Sequence, residues 1–473
     1  MLNHWRGAIC MGRSPLTACM LAAAGLGSLS AVEIQQTLYG EASIEGIFQN
    51  RYLHGDRLPA NPHTLPSGQA VDYYRDHRNH TWIRAKLGAR IKIEDRVEAN
   101  VSVVYDGEYA DGIRFAPSSR EDIHLGDANV LLRHLLFDNL HLRAGRQPVS
   151  WNLRRGQGAF LHDSRANSPA VTSWDGVRLH YNWDNLTFSP YHFNLNAARD
   201  ARIDGYRGQD PVSRSNNSLT GIHMDWQPEG TGDGRVFVTG SISQERNLLV
   251  AEQQLGRDAV FADKLWNYYL GLEWEFAGGL TFFGEGAIQE GRMTDGQKMR
   301  GFGYSLGLEW DVGGQNNATI GIQYDHRSGD SNPNDSSFKN FVAPWEGVSD
   351  TLIVEHERYG ELSNLLVGNL TAFKARAEYR FDHLNAARPF HLKFIWGYYT
   401  IDKPGSGRAS HFGNEFDLTV SWQYNRFTSL DFFGGIFLPG LGYRQTAQAA
   451  YAYTQPTPDK NITLLGMNLN VSF

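Results

Sequence analysis

"WIRAKLGARIKI", residues 82–93, places Arg84, Lys86, Arg90 and Lys92 at alternate positions, with Gly88 completing the series. Ile83, Ala85, Leu87, Ala89, Ile91 and Ile93 fall between them. A helix would scatter these charges around its circumference. A strand sends successive side chains to opposite faces, so this one carries a wholly apolar face and a strongly cationic one. In a soluble protein the apolar face would need a core to cover it. The rest of the chain decides what covers it here.

The chain has 473 residues, 50 of them glycine, with 12% aromatics and a formal charge of −7. Residues 1–31 read as a secretory signal peptide: Arg6 and Arg13 supply a basic start, and "LTACMLAAAGLGSLSA" (16–31) is a short apolar run ending in small residues. The "LTAC" at 16–19 superficially fits a lipoprotein box, but too little apolar sequence separates Arg13 from Cys19 to serve as its hydrophobic region. Cys10 and Cys19 are the chain's two cysteines, so a mature chain from residue 32 has none and must be held by backbone pairing or a large core. Losing Arg6 and Arg13, and no acid, would take the charge from −7 to −9, which argues against nucleic acid as a partner.

No apolar run approaches the ~18 residues that a membrane helix needs. Alternation, by contrast, recurs. It predicts strands near 37–49, 80–93, 97–109, 123–136, 140–147, 174–182, 185–197, 217–227 and 234–246. It predicts nine more near 264–276, 279–291, 300–311, 317–328, 366–381, 389–402, 412–424, 428–438 and 461–473. Odd-numbered connections include long ones (50–79, 148–173, 329–365, 439–460), whereas even-numbered ones are short, such as "EDR" and "NRFT". Phe137, Trp183, Trp226, Phe276, Trp310, Phe381 and Tyr424 stand beside the short turns, where an aromatic girdle at one membrane interface would place them. The last segment, "NITLLGMNLNVSF", ends an alternating face on Phe473, like the terminal assembly signal of outer-membrane barrels.

These features predict an all-β protein: a single transmembrane antiparallel barrel of about eighteen strands over 32–473, with long extracellular loops and short periplasmic turns. Lipid then covers the apolar face of 82–93, and its cations point into an aqueous lumen. Assigning polar faces inward gives one basic arc of Arg84, Lys86, Arg90, Lys92, Arg133, Arg143 and Arg178. Lys374, Arg376, Arg380 and Lys393 form a second arc, placed to face the first. Acids gather between them: Glu273, Glu275, Glu285, Glu309 and Asp325, then Glu415 and Asp417. Such cations favour anionic permeants, unless they merely pair with acids to stabilise the wall. For the row on 82–93 this reading counts a single nearby acid, Glu94.

Six segments carry a family resemblance: "LRAGRQPVSW" (142–151) with "SPAVTSWDGVRLHY" (168–181), "YDHRSGDSNPNDSSFKNF" (324–341), "YGELSNL" (359–365), "GNEFDLTVSWQYN" (413–425) and "FFGGIFLPG" (432–440). In this order they resemble the alginate-export family. The resemblance implies an outer-membrane channel for an anionic polysaccharide with an arginine-lined constriction, to which Arg143 and Arg146 are carried over. The chain departs from alginate exporters proper at Tyr359, and at Asp431 and Phe433, where they carry arginines. The expected function is passive export or permeation of an acidic polysaccharide such as alginate or its oligomers. Alternatives are an uptake porin for small anions such as organic acids, or a rim enzyme or adhesin built on the long loops.

"DSNPND" (330–335) offers Asp330, Asn332, Asn334 and Asp335 as a weak candidate for Ca²⁺ or lipopolysaccharide-bound divalent ions, against the plainer reading of an Asx-rich turn. Loop 329–365 is long enough to fold inward or act as a lid. His54, His77 and His80 with Asp56, Asp72 and Asp76 form no hydrolase motif, and "GFGYSLG" (301–307) has the wrong spacing for a phosphate loop and sits on a strand. No cofactor is expected. The expected partners are an anionic oligo- or polysaccharide or other small anions, outer-membrane lipid and lipopolysaccharide, and the barrel assembly machinery. The expected state is a monomer.

Overall fold

The computed structural model describes residues 33–50, 77–112, 115–151, 160, 173–194, 218–228, 234–251, 260–293, 296–312, 318–332, 335–342, 351–355, 368–381, 388–450 and 461–473. The strands are β1 (Ile34–Asn50), β2 (His77–Ile93), β3 (Val97–Gly112), β4 (Phe115–Leu132), β5 (Leu140–Gln147), β6 (Trp174–Trp183), β7 (Leu186–Asn194), β8 (Ser218–Trp226) and β9 (Arg235–Ala251). The chain continues through β10 (Val260–Glu275), β11 (Leu280–Met293), β12 (Lys298–Val312), β13 (Ala318–Arg327) and a two-residue β14 (Ser337–Phe338). It ends with β15 (Leu370–Arg380), β16 (Phe390–Ile401), β17 (His411–Asn425), β18 (Thr428–Pro439), the helix α1 (Leu441–Ala450) and β19 (Ile462–Ser472).

Apart from β14, which pairs parallel to the start of β12, each strand is antiparallel to its neighbours in sequence. β1 closes the ring on β19, from Glu41 opposite Ser472 to Asn50 opposite Thr463. The result is a closed barrel of eighteen wall strands, without the free edge that lipid could not satisfy. All eighteen expected strands are present. β14 and α1 were not expected: each lies in a long connection that has no period-2 signal.

Exposure follows strand parity. Leu38 (78%), Ile123 (71%) and Leu136 (76%) stand free on the outside, among many other large apolar side chains. Each would cost about 1.5–3 kcal/mol against water, so this belt is a lipid-facing surface. The girdle residues Phe137, Trp183, Trp226, Phe276, Trp310 and Tyr424 are also exposed outward.

On the inner face, rings lie over glycines of the neighbouring strand. Tyr39 covers Gly88, Phe283 covers Gly307 and Phe433 covers Gly466, each ring occupying the space a Cβ would need. The register sets these partners directly opposite one another.

Phe473 ends the outward face of β19. It is 67% exposed on the lipid side, and its ring lies over Gly40. Its backbone exchanges hydrogen bonds of 2.9 and 3.0 Å with Gly40 at the seam. Deleting the last three residues removes that exchange and the ring, so slower insertion and a smaller heat-modifiable band on gels of outer-membrane fractions are expected. An undiminished folded band would separate Phe473 from assembly.

Candidate functional site

The inner wall carries the expected cations, and pairing across strands neutralises most of them. Arg84 meets Asp106 at 3.1 Å and Lys86 meets Asp127 at 2.7 Å. Arg90 reaches Glu98 at 3.5 Å and donates to the Asn100 side chain at 3.1 Å. Arg133 meets the other oxygen of Glu98 at 3.1 Å. The expectation that Glu94 is the one acid near this row is therefore corrected: the counter-charges come from β3 and β4. Lys92 faces Glu98 across the ladder but forms no ion pair among the described residues.

The second arc is paired more tightly still. Lys374 is buried between Asp325 at 2.8 Å and Glu355 at 2.6 Å, and Glu355 also meets Arg327 at 3.2 Å. Arg376 pairs with Glu309. Lys393 lies opposite Glu378 and Arg380 opposite His391 in the ladder, and neither cation is free.

Two cations are different. Arg143 and Arg178 stand directly opposite each other on β5 and β6, pointing inward. Among the described residues neither has a carboxylate within ion-pair distance, and the Nε of each is buried without a hydrogen bond. Below them His141 faces His180, whose Nδ1 lies 2.9 Å from the Ser189 hydroxyl. Two unneutralised guanidiniums side by side are costly unless an anion or water shares them, so this is the point of the wall most receptive to an anion.

Arg146 needs a correction. It lies on the opposite parity from Arg143, beside outward Val177, so it faces away from the lumen. There it makes a bidentate pair with Asp175 at 2.8 and 2.9 Å and donates to the Leu125 carbonyl at 2.9 Å. Positions an odd number of residues apart on one strand take opposite faces, and these two are three apart.

Two long connections enter the lumen, a contribution that strand periodicity could not reveal. From the first, Trp151 stacks on His223 (centroids 4.5 Å, 15°) and lies 4.6 Å from the Tyr191 ring. Phe160 packs edge-on to Phe341 at 5.1 Å, joining the two connections over β12. From the second, Leu352, Ile353 and Val354 are buried against Tyr399, Phe433, Phe437 and Leu464 of the inner wall. Carboxylates clasp this segment: Glu415 accepts the N–H groups of Ile353 and Val354, and Asp417 accepts that of Leu352 at 3.0 Å. Tyr443 of α1 completes the cluster, 5.4 Å from both Phe412 and Phe437. Loop 329–365 thus folds inward in its described part.

The remaining candidates resolve simply. Asp330 accepts from the Asn332 N–H at 3.0 Å, and Asp335 accepts from Ser337 N–H at 2.7 Å and from Lys339 at 2.8 Å. The Lys339 hydrogen bond holds Asp335 below the ordinary carboxylate range. This is Asx-turn geometry; Asn334 lies outside the described residues. So do His54, Asp56, Asp72, Asp76 and Tyr359. Asp431 and Phe433 share the inward parity of β18, with Phe433 seated over Gly466.

Among solved structures, the barrel is similar to Pseudomonas aeruginosa OccK5 (OpdH), with a TM-score of 0.50 and 10% identity over 92% of this chain and 98% of that one. Acinetobacter baumannii OccAB4 gives 0.50 and 12% over 93% and 99%. The outer membrane protein OprD from Pseudomonas aeruginosa gives 0.50 and 11% over 92% and 94%. At these identities the likeness concerns the fold. No curated protein matches the chain. The alginate export family matches residues 64–455, most of its length. With a closed barrel, a lipid-facing belt and a charged lumen, this chain belongs to the alginate export family and is an outer-membrane channel.

Proposed function

We propose that the channel passes anionic solutes passively, and that its permeants are acidic polysaccharides or their oligomers. The observation that carries this reading is the facing pair Arg143 and Arg178, two cations set side by side with no carboxylate in ion-pair contact, on an inner wall where most other cations are paired. A passing carboxylate would supply what the wall withholds, a bidentate acceptor for each guanidinium. Field focusing in the low-dielectric wall strengthens that attraction.

A second reading, uptake of small anions such as organic acids, is favoured by the inward segments at 149–151 and 352–354. It is favoured also by Asp431 and Phe433 on the inward face, where alginate exporters carry arginines.

Current blockade tests the two together. In a planar bilayer, short uronate oligomers should interrupt the current at lower concentrations than neutral oligosaccharides of equal length. If single organic acids compete with salt but oligomers neither block nor pass, the small-anion reading stands. Indifference to both would remove the anion path.

A further inference from the structure

A second group of unpaired cations stands on the outside of the barrel. The ladder sets Arg246 of β9 opposite Lys264 of β10, Lys264 opposite Arg292 of β11, and Arg292 opposite Lys298 of β12. All four side chains are exposed. They share the outward parity of Ile242, Trp266, Ile288 and Phe302 on the same strands, which lie in the lipid-facing belt. None has an ion-pair partner among the described residues; Arg246 makes one long hydrogen bond, 3.4 Å, to Gln244. Asp263 and Glu290 are exposed nearby, and neither is paired with the row.

The height of the row identifies what it meets. Lys298 stands twelve residues from Trp310 of the periplasmic girdle, on the same strand. At ~3.3 Å per residue and a tilt of roughly 40°, that is about 30 Å along the membrane normal. The apolar band of such barrels is ~25 Å tall. The cations therefore project just beyond the acyl chains on the extracellular side, at headgroup level. Four strands at ~4.8 Å spacing spread them over about 14 Å. In a chain of net charge −7, four adjacent cations on one ladder row, which climbs about 9 Å along the membrane normal at that tilt, form a local anion site.

We propose that Arg246, Lys264, Arg292 and Lys298 form a binding site for the phosphorylated headgroup of an outer-leaflet glycolipid, the bis-phosphorylated disaccharide of lipid A. Guanidiniums grip phosphate oxygens in pairs and the ammoniums add point charges, while the apolar residues below hold the acyl chains.

Native mass spectrometry of the full-length protein in detergent tests this. Three probes are titrated: bis-phosphorylated lipid A, the same lipid without its phosphates, and inorganic pyrophosphate. The wild type should bind the phosphorylated lipid at least about tenfold more tightly than the dephosphorylated form, the increment of one charge-assisted contact. The R246Q/K264Q/R292Q/K298Q variant should lose that preference, and R292Q/K298Q, a milder change should the first fail to fold, should lose most of it. Equal affinity for the two lipids, or an unaltered preference in R292Q/K298Q, would overturn the site. Pyrophosphate binding as tight as lipid A would overturn its assignment to a lipid.

Discussion

Replacing Arg143 and Arg178 together by glutamine should move the zero-current potential of the channel, under a salt gradient, from the anion side to neutrality or beyond. Glutamine keeps length and polarity, so β5 and β6 should still pair and the lumen stay wet. Only the charge is lost. A unit charge at 4 Å is worth ~1 kcal/mol in a water-like medium and ~4 kcal/mol at an effective dielectric of 20. Removing two such charges should therefore lower anion occupancy beside this wall at least about tenfold, since ~1.4 kcal/mol is one decade. The shift should be largest at low salt, where screening is weakest. Arg146→Gln is the built-in control: its guanidinium lies outside, paired with Asp175, and selectivity should not move. Lys86→Gln should act more weakly than the double variant, since it exposes the carboxylate of Asp127 without removing an unpaired cation. A double variant that keeps the wild-type potential would place the filter elsewhere.

Releasing the inward segment should change conductance rather than selectivity alone. Glu415→Ala with Asp417→Ala strips the acceptors from the N–H groups of Leu352, Ile353 and Val354. Each buried donor left unpaired costs about 1–3 kcal/mol, so the segment should leave the wall and single-channel conductance rise. The strands themselves should persist, because the carboxylates bond to the segment and not to the ladder. A reporter is at hand: the chain's two cysteines are Cys10 and Cys19, so Val354→Cys places the one thiol of the described barrel in the clasp. It should be sluggish toward water-soluble maleimides in the otherwise wild-type channel and labelled rapidly once the acceptors are gone. Unchanged conductance together with rapid labelling would mean that the segment does not limit the pore.

The wall was legible because a lipid-facing strand repeats every two residues, as in the row Trp266, Tyr268, Leu270, Leu272 and Trp274, and because such rows recur between alternating short and long connections. The ion pairs needed one further step. The "EDR" turn sets Ile93 opposite Val97, and counting back from it puts Arg90 against Asn100 and Arg84 against Asp106. That register is readable in the sequence once the hairpin is accepted. The Lys86–Asp127 pair is not, because it joins β2 to β4 across β3, beside the point where the ladder shifts between Val101 and Val103. Arg146 was misplaced by motif matching, which counts residues without asking which face each one takes. Trp151, Phe160, Glu355 and the clasped 352–354 segment lie in connections where no periodicity exists. Their positions follow from buried apolar contact and from carboxylates on β17 that lie far away in sequence.

The rings seated over glycines bear on how the sheet finds its alignment. A barrel wall tolerates slips of two residues, since these keep every oily side chain outside and every polar one inside. Hydrophobicity alone cannot reject them. Sliding β12 by two past β11 would drive the Phe283 ring against Ser305 or Glu309 instead of the notch at Gly307. A two-residue slip at the β18–β19 seam would set Phe433 against Leu464 or Asn468 in place of Gly466. The same shift between β1 and β2 would press Tyr39 onto Lys86 or Arg90. Each ring and its notch thus index neighbouring strands like a tooth in a rack, and a valine at Gly88, Gly307 or Gly466 would blunt the tooth and let misaligned walls compete during insertion.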